Sequence, residues 1–99
     1  MIDLIILPKA RNFIKKLKDK NLKNKIEQTI NNINKNPKIG KAKIGDLKGI
    51  LCVDFYHVGI NYEIAYKIVE ENEIIYIILI GVRGDFYEDL KNYLRELDI

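Results

Sequence analysis

The hydrophobic period changes along the chain, and the changes mark its elements. Ile2 to Leu7 is apolar but for one acid and is stopped by Pro8, which suits the first turn of a helix because it has no N–H to leave unpaired. A short strand running into a helix is expected. Ala10, Phe13, Ile14 and Leu17 then recur at helical spacing, one apolar stripe among Lys9, Lys15, Lys16 and Lys18. Asn21 offers an N-cap for a second helix, with Leu22, Ile26, Ile30 and Ile33 as its stripe and Asn36-Pro37 as its stop. The short connection predicts an antiparallel helical hairpin. Residues 38–49 hold Gly40, Gly45 and Gly49 among four lysines and read as a loop approaching a sheet.

The period then drops to two. Ile50 to Val58 and Tyr62 to Val69 read as strands turned at Gly59. In the second, Tyr62, Ile64, Tyr66 and Ile68 alternate with Glu63, Ala65 and Lys67, as in a half-buried strand. Glu70 to Glu73 is a turn, and Ile74 to Ile80 is apolar on both faces, which places it in the interior of the sheet. After Gly81-Val82-Arg83-Gly84, Asp85 and Glu88 have the spacing of an acidic capping box. Phe86, Leu90, Tyr93, Leu94 and Leu97 complete a terminal amphipathic helix. The predicted fold is α+β in the order β-α-α-β-β-β-α. A short N-terminal strand and a helical hairpin pack on an antiparallel sheet with a C-terminal helix, as one domain over residues 1–99.

Composition narrows the function. With 47% apolar and 31% charged residues, the chain can bury a core and is not expected to be disordered. The run Ile74 to Ile80 is far shorter than the roughly 20 residues that span a bilayer. The N-terminus lacks the features of a secretory signal, so a cytoplasmic location without membrane contact is expected. Cys52 is the single cysteine and His57 the single histidine, which excludes an internal disulfide and argues against zinc. No metal or cofactor is expected. The absence of serine excludes serine hydrolases, and no phosphate-binding or dinucleotide-binding glycine motif is present.

Charge divides the chain. Residues 1–49 carry 13 Lys/Arg against four acids, and residues 50–99 carry four against ten, so the halves are +9 and −6. Such a field favours an anionic partner: RNA, DNA or an acidic protein segment. Lys41, Lys43 and Lys48 precede the first strand of the meander, Arg83 follows its last, and Tyr87 stands one helical turn on. The start of the first strand and the end of the third share one end of a three-stranded meander, so these groups can converge. Lysines and an arginine can hold a phosphodiester and its developing charge, and Tyr87 can stack on a base or move a proton. Each has a plainer alternative, as an ion-paired arginine, solvated lysines or a packed tyrosine. His57, near a turn, reads first as a partly exposed histidine and only second as a proton shuttle, and Cys52 is read as core.

Three stretches, Gly45-Asp46-Leu47-Lys48-Gly49, Asn61-Tyr62-Glu63-Ile64-Ala65-Tyr66 and Gly81-Val82-Arg83-Gly84-Asp85-Phe86-Tyr87, resemble the RelE/ParE superfamily of toxins from type II toxin–antitoxin modules. The lysine-rich hairpin and short first strand extend the resemblance over nearly the whole chain. It implies a microbial-RNase-like α+β fold and a cognate antitoxin that wraps the toxin, with operator DNA reached only through that antitoxin. It further implies either ribosome-dependent mRNA cleavage or poisoning of DNA gyrase. Lys43 and Lys48 approximate the family's lysine pair, Arg83 its arginine after the last strand, and Tyr87 its C-terminal tyrosine. With Lys41 these lysines would bind RNA. The family's third-strand arginine is missing, and Glu63 stands where it would fall. That inverts the charge beside a scissile phosphate, making Glu63 or His57 candidate bases and Lys67 a partial substitute. Cleavage of mRNA on the ribosome is the leading expectation, with gyrase inhibition or non-catalytic binding of RNA or an acidic protein as alternatives.

Overall fold

The computed structural model describes residues 3–71 and 73–97. Ile2 of the expected first strand and Asn72 of the expected 70–73 turn lie outside the described residues. Strand β1 (Asp3–Ile6) runs into α1 (Pro8–Lys16), with Pro8 in the first turn and Leu7 extended before it. Helix α2 (Lys20–Lys35) begins two residues earlier than a cap at Asn21 would place it. Its cap is Asp19, whose carboxylate accepts from the N–H groups of Asn21 and Leu22 at 2.9 and 3.1 Å. A carboxylate satisfies the same orphan donors as an amide and also complements the positive helix end.

The stretch expected to be a loop contains a further strand. β2 (Lys41–Ala42) pairs antiparallel with the start of β3 (Leu51–His57), and a 3-10 turn at Gly45–Leu47 links them. β4 (Ile60–Val69), β5 (Ile74–Val82) and α3 (Phe86–Leu97) follow in the predicted order. The sheet order is β1-β5-β4-β3-β2, with β1 parallel to β5 and the other neighbours antiparallel. Between β3 and β4, Val58 and Gly59 both take positive φ, 50° and 74°, as a tight two-residue hairpin of primed type requires.

The two helical stripes meet one face of the sheet. Leu22, Ile26, Ile30 and Ile33 join Ala10, Tyr62, Ile64, Tyr66, Ile75, Ile77 and Ile80 in one apolar cluster. On the other face, Phe86, Leu90, Tyr93 and Leu94 of α3 pack with Cys52, Ala65, Ile78, Leu47 and Ile50. β4 is therefore buried on both faces from Tyr62 to Tyr66. Its alternation suggested a half-buried strand, but α3 covers the second face. Asp85 precedes α3 and its carbonyl accepts from the Asp89 N–H at 2.9 Å. Among the described residues no side-chain hydrogen bond of the expected capping box joins Asp85 to Glu88.

Two local features shape the sheet around its candidate residues. Tyr66 is fully buried, and its Oη donates to the Pro37 carbonyl at 2.7 Å and accepts from the Gly40 N–H at 2.9 Å, fixing the chain that enters β2. A Cβ on Gly40 would lie 2.6 Å from that oxygen. β5 carries a bulge: Ala65 faces Leu79 and Tyr66 faces Ile77, so Ile78 has no partner across the ladder. Ile78 and Leu79 consequently both point to the α3 side, whereas Ile77 and Ile80 point to the other. Among the described residues no helix is long and apolar enough to cross a membrane.

Candidate functional site

Strand pairing determines which side chains gather on the α3 face. Lys41 lies beside Cys52, which lies beside Ala65. The next row outward is Asp54, Glu63 and Gly81, and beyond it Tyr56 faces Asn61. Arg83 continues the ladder past β5, its N–H bonded to the Asn61 carbonyl at 2.9 Å. Gly81 adds no side chain to its row, and a Cβ there would press on the Phe86 ring at 3.3 Å. Phe86 and Tyr87 open α3 above these rows, their rings edge to face at 5.5 Å.

The result is a small pocket of about 60 Å³ lined by Lys41, Lys43, Cys52, Asp54, Glu63, Arg83 and Tyr87. Glu63 is its centre and, among the described residues, the one charged side chain that is buried, at 3% exposure. A buried carboxylate is costly unless bonded and paired. Tyr87 Oη donates to Glu63 Oε2 at 2.7 Å, and Arg83 Nε stands 3.7 Å from Oε1. The Arg83 side chain remains 58% exposed, free to meet a ligand from the solvent side.

Lys43 Nζ lies over the Tyr87 ring, 4.7 Å from its centroid. The Tyr87 side chain holds the Lys43 ammonium above its ordinary titration range, outweighing partial burial. Burial is the main reason that the Tyr87 phenol is itself raised, with Lys43 pulling it down and Glu63 adding to the rise. Tyr87 is thus held as a proton donor and Lys43 as a cation. The Cys52 thiol is pushed up to about 12, chiefly by burial, so it lines the pocket without being a nucleophile.

Of the residues singled out in the sequence, Lys41, Lys43, Glu63, Arg83 and Tyr87 are brought together. Lys48 follows the 3-10 turn, exposed, and does not line the pocket. Lys67 shares the α3 face but lies further along β4, beside a separate cavity of about 300 Å³ with Leu7, Val69, Tyr76 and Leu97. His57 falls on the opposite parity of β3, where its Nε2 meets Asp19 Oδ2 at 2.9 Å. Neither Lys67, offered as a partial substitute, nor His57, one of two candidate bases, therefore lines the pocket. Asp54 was missed, although a two-residue turn at Val58-Gly59 sets the register that pairs it with Glu63. Among the described residues no three His, Cys, Asp or Glu side chains gather as metal ligands.

Comparison with known proteins adds the context of this geometry. The family model described as the ParE-like toxin of type II bacterial toxin–antitoxin systems matches residues 4–91. A search of curated proteins returned no significant match. The fold is similar to that of a mutant of the E. coli toxin RelE in the free state, with TM-score 0.75 and 12% identity over 99% of this chain and 98% of that one. The intact E. coli RelBE toxin–antitoxin complex gives TM-score 0.70 at 15% identity, covering 85% of this chain and 99% of the other. A RelBE toxin–antitoxin complex from Mycobacterium tuberculosis gives 0.68 at 20%, covering 83% and 98%. At these identities the likeness to the solved structures is one of fold.

Proposed function

The chain belongs to the ParE-like toxins of type II bacterial toxin–antitoxin systems, and from that premise we propose that it is an endoribonuclease cutting mRNA on the ribosome. The observation that supports this best is the convergence of Lys41, Lys43 and Arg83 on a buried carboxylate and a protonated tyrosine. The three cations hold the scissile phosphate and the charge that builds on it. Glu63 takes the proton of the attacking 2′-hydroxyl, the P–O5′ bond breaks, and Tyr87 or Lys43 returns a proton to the 5′-oxygen. The products are a 2′,3′-cyclic phosphate and a 5′-hydroxyl. A cognate antitoxin is the expected partner, as in the RelBE complexes of similar fold, and the +9 half suits an acidic wrapping segment.

Expression should produce transcripts cut at the ribosomal A site, and Arg83→Ala should lower cutting by about 100-fold or more. Intact transcripts in growth-arrested cells would refute the proposal. A second reading, inhibition of DNA gyrase, is favoured by one observation: Glu63 places a carboxylate 3.7 Å from the guanidinium that would hold phosphate. It predicts loss of supercoiling when purified protein is added to gyrase, and unaffected gyrase eliminates it.

A further inference from the structure

Beyond Arg83 the α3 face continues as an exposed patch that the cleavage proposal does not use. Tyr56 is 65% exposed there. Asn61 lies directly across the ladder from it, and Asp54 stands two residues earlier on the same face. Directly opposed residues bring their Cβ atoms to about 5 Å, and same-face neighbours along a strand lie about 7 Å apart. Asn61 Nδ2 reaches Asp54 Oδ2 at 3.5 Å. Arg83 borders the patch through its backbone bond to Asn61.

The platform is held firmly from behind. Lys25 Nζ donates to the Tyr56 carbonyl at 2.7 Å, and His57 meets Asp19 at 2.9 Å, so two contacts tie this end of β3 to α2. The ring is thereby presented on a fixed strand.

We infer that this patch is a nucleobase subsite, in which the base adjoining the bound phosphate stacks on Tyr56 and donates an amino hydrogen to the Asp54 carboxylate. The charge pattern gives the assignment. Lys41, Lys43 and Arg83 attract a phosphate, whereas Asp54 repels one, so a nucleotide strand crossing both places its backbone over the cations and a base beside the acid. An exposed aromatic face accepts any base by stacking. A carboxylate accepts from exocyclic amino groups, as it does from cytosine N4. Adenine and cytosine carry such a group and uracil does not, so oligouridine is the disfavoured ligand. Asn61 acts as a positioning residue for Asp54. The inference rests on the RNA reading of the neighbouring pocket but not on cleavage.

The chain has no tryptophan, so Tyr56→Trp installs a single fluorescent reporter at the subsite. It is titrated with 2′-O-methyl tetranucleotides, which cannot be cleaved through a 2′-hydroxyl. Oligoadenylate and oligocytidylate should quench it strongly, oligouridylate weakly, and an abasic tetramer with the same phosphates not at all. In the otherwise wild-type chain, Tyr56→Ala should weaken oligoadenylate binding by about 5- to 150-fold, whereas Tyr56→Phe, which keeps the ring, should stay within about two-fold. Asp54→Ala should abolish the preference over uridine whatever it does to overall affinity. Equal quenching by abasic and base-bearing tetramers, no quenching by any of them, or a Tyr56→Ala affinity equal to wild type overturns the subsite. Quenching with uncut cellular mRNA would instead sink cleavage and leave the subsite standing. Cutting unaffected by Tyr56→Ala would do the reverse.

Discussion

Tyr66→Phe removes one oxygen from the core and leaves two backbone groups without their partner. The Tyr66 hydroxyl bridges the Pro37 carbonyl at 2.7 Å and the Gly40 N–H at 2.9 Å. A buried donor or acceptor left unsatisfied costs about 1–3 kcal/mol. Both bonds are partly buried, so water replaces some of the loss and the pair together should cost about 1–3 kcal/mol. For a chain of this size that lowers Tm by roughly 5–20 °C, read by circular dichroism. The Gly40→Ala substitution provides an internal check. Its new Cβ would sit 2.6 Å from Tyr66 Oη, 2.9 Å from Tyr66 Cε1 and 3.0 Å from Leu51 Cβ. Removing the hydroxyl deletes the tightest of these contacts, so Gly40→Ala should cost less in the Tyr66→Phe background than in wild type. Burial also raises the Tyr66 phenol above its ordinary value. A raised folded-state value means stability that is complete below the unfolded titration near pH ~10 and lost as pH rises through the folded one. The wild type should therefore lose stability more steeply than the variant in alkali. A Tm change under about 2 °C, or additive costs in the double variant, would refute this account.

Val58, 84% exposed with φ of 50°, is a β-branched residue in a left-handed turn position, so Val58→Asn should raise the urea midpoint by about 0.5–1 kcal/mol equivalent; an unchanged or lower midpoint contradicts that strain. Asp19 is held below the ordinary carboxylate range by His57 first and then by the α2 N–H groups. Its stabilisation is present above the unfolded carboxylate value and lost as pH falls through the folded one, so Asp19→Asn should flatten the acid limb of the stability profile, and an unaltered limb argues against the cap. The Cys52 thiol, buried and raised to about 12, should resist iodoacetamide at pH ~8 until the chain unfolds; fast native labelling would contradict its burial.

The elements with a strong period were legible. The stripes of α1, α2 and α3, the faces of β4 and the interior place of β5 follow from residue spacing alone, because burial of a face imposes that spacing. The two-residue β2 was not legible, since Lys41-Ala42 carries no pattern and acquires its strand only from pairing with β3. The cap moved from Asn21 to Asp19 because both residue types can cap and local sequence does not rank them. Arg83 and Tyr87 were placed correctly by topology, as was the lysine approach. Lys48, Lys67 and His57 were not, because a linear reading locates a residue near a strand end without fixing its parity or its row. Glu63 was read as a charge inversion. Its burial under Tyr87 depends on α3 crossing that part of the sheet, which no spacing in the sequence states.

Ile78 bears on this question of parity. Residues 75 and 77 face α1 and α2, and an uninterrupted strand would send 79, 81 and 83 the same way. One unpaired isoleucine reverses the count, so the odd positions after it face α3 and Arg83 arrives beside Glu63. Residue 78 thus works as a counting device, and its lack of a partner, more than its identity, decides which face Arg83 meets. Deleting one residue between Ile77 and Gly81 would remove the bulge and keep the arginine on the α3 side, whereas pairing Ile78 with Ala65 at unchanged length would turn it to the far side of the sheet. Any redesign of such a chain that keeps the length of this strand but irons out its bulge therefore exchanges a charged pocket for an arginine aimed at the helical layer.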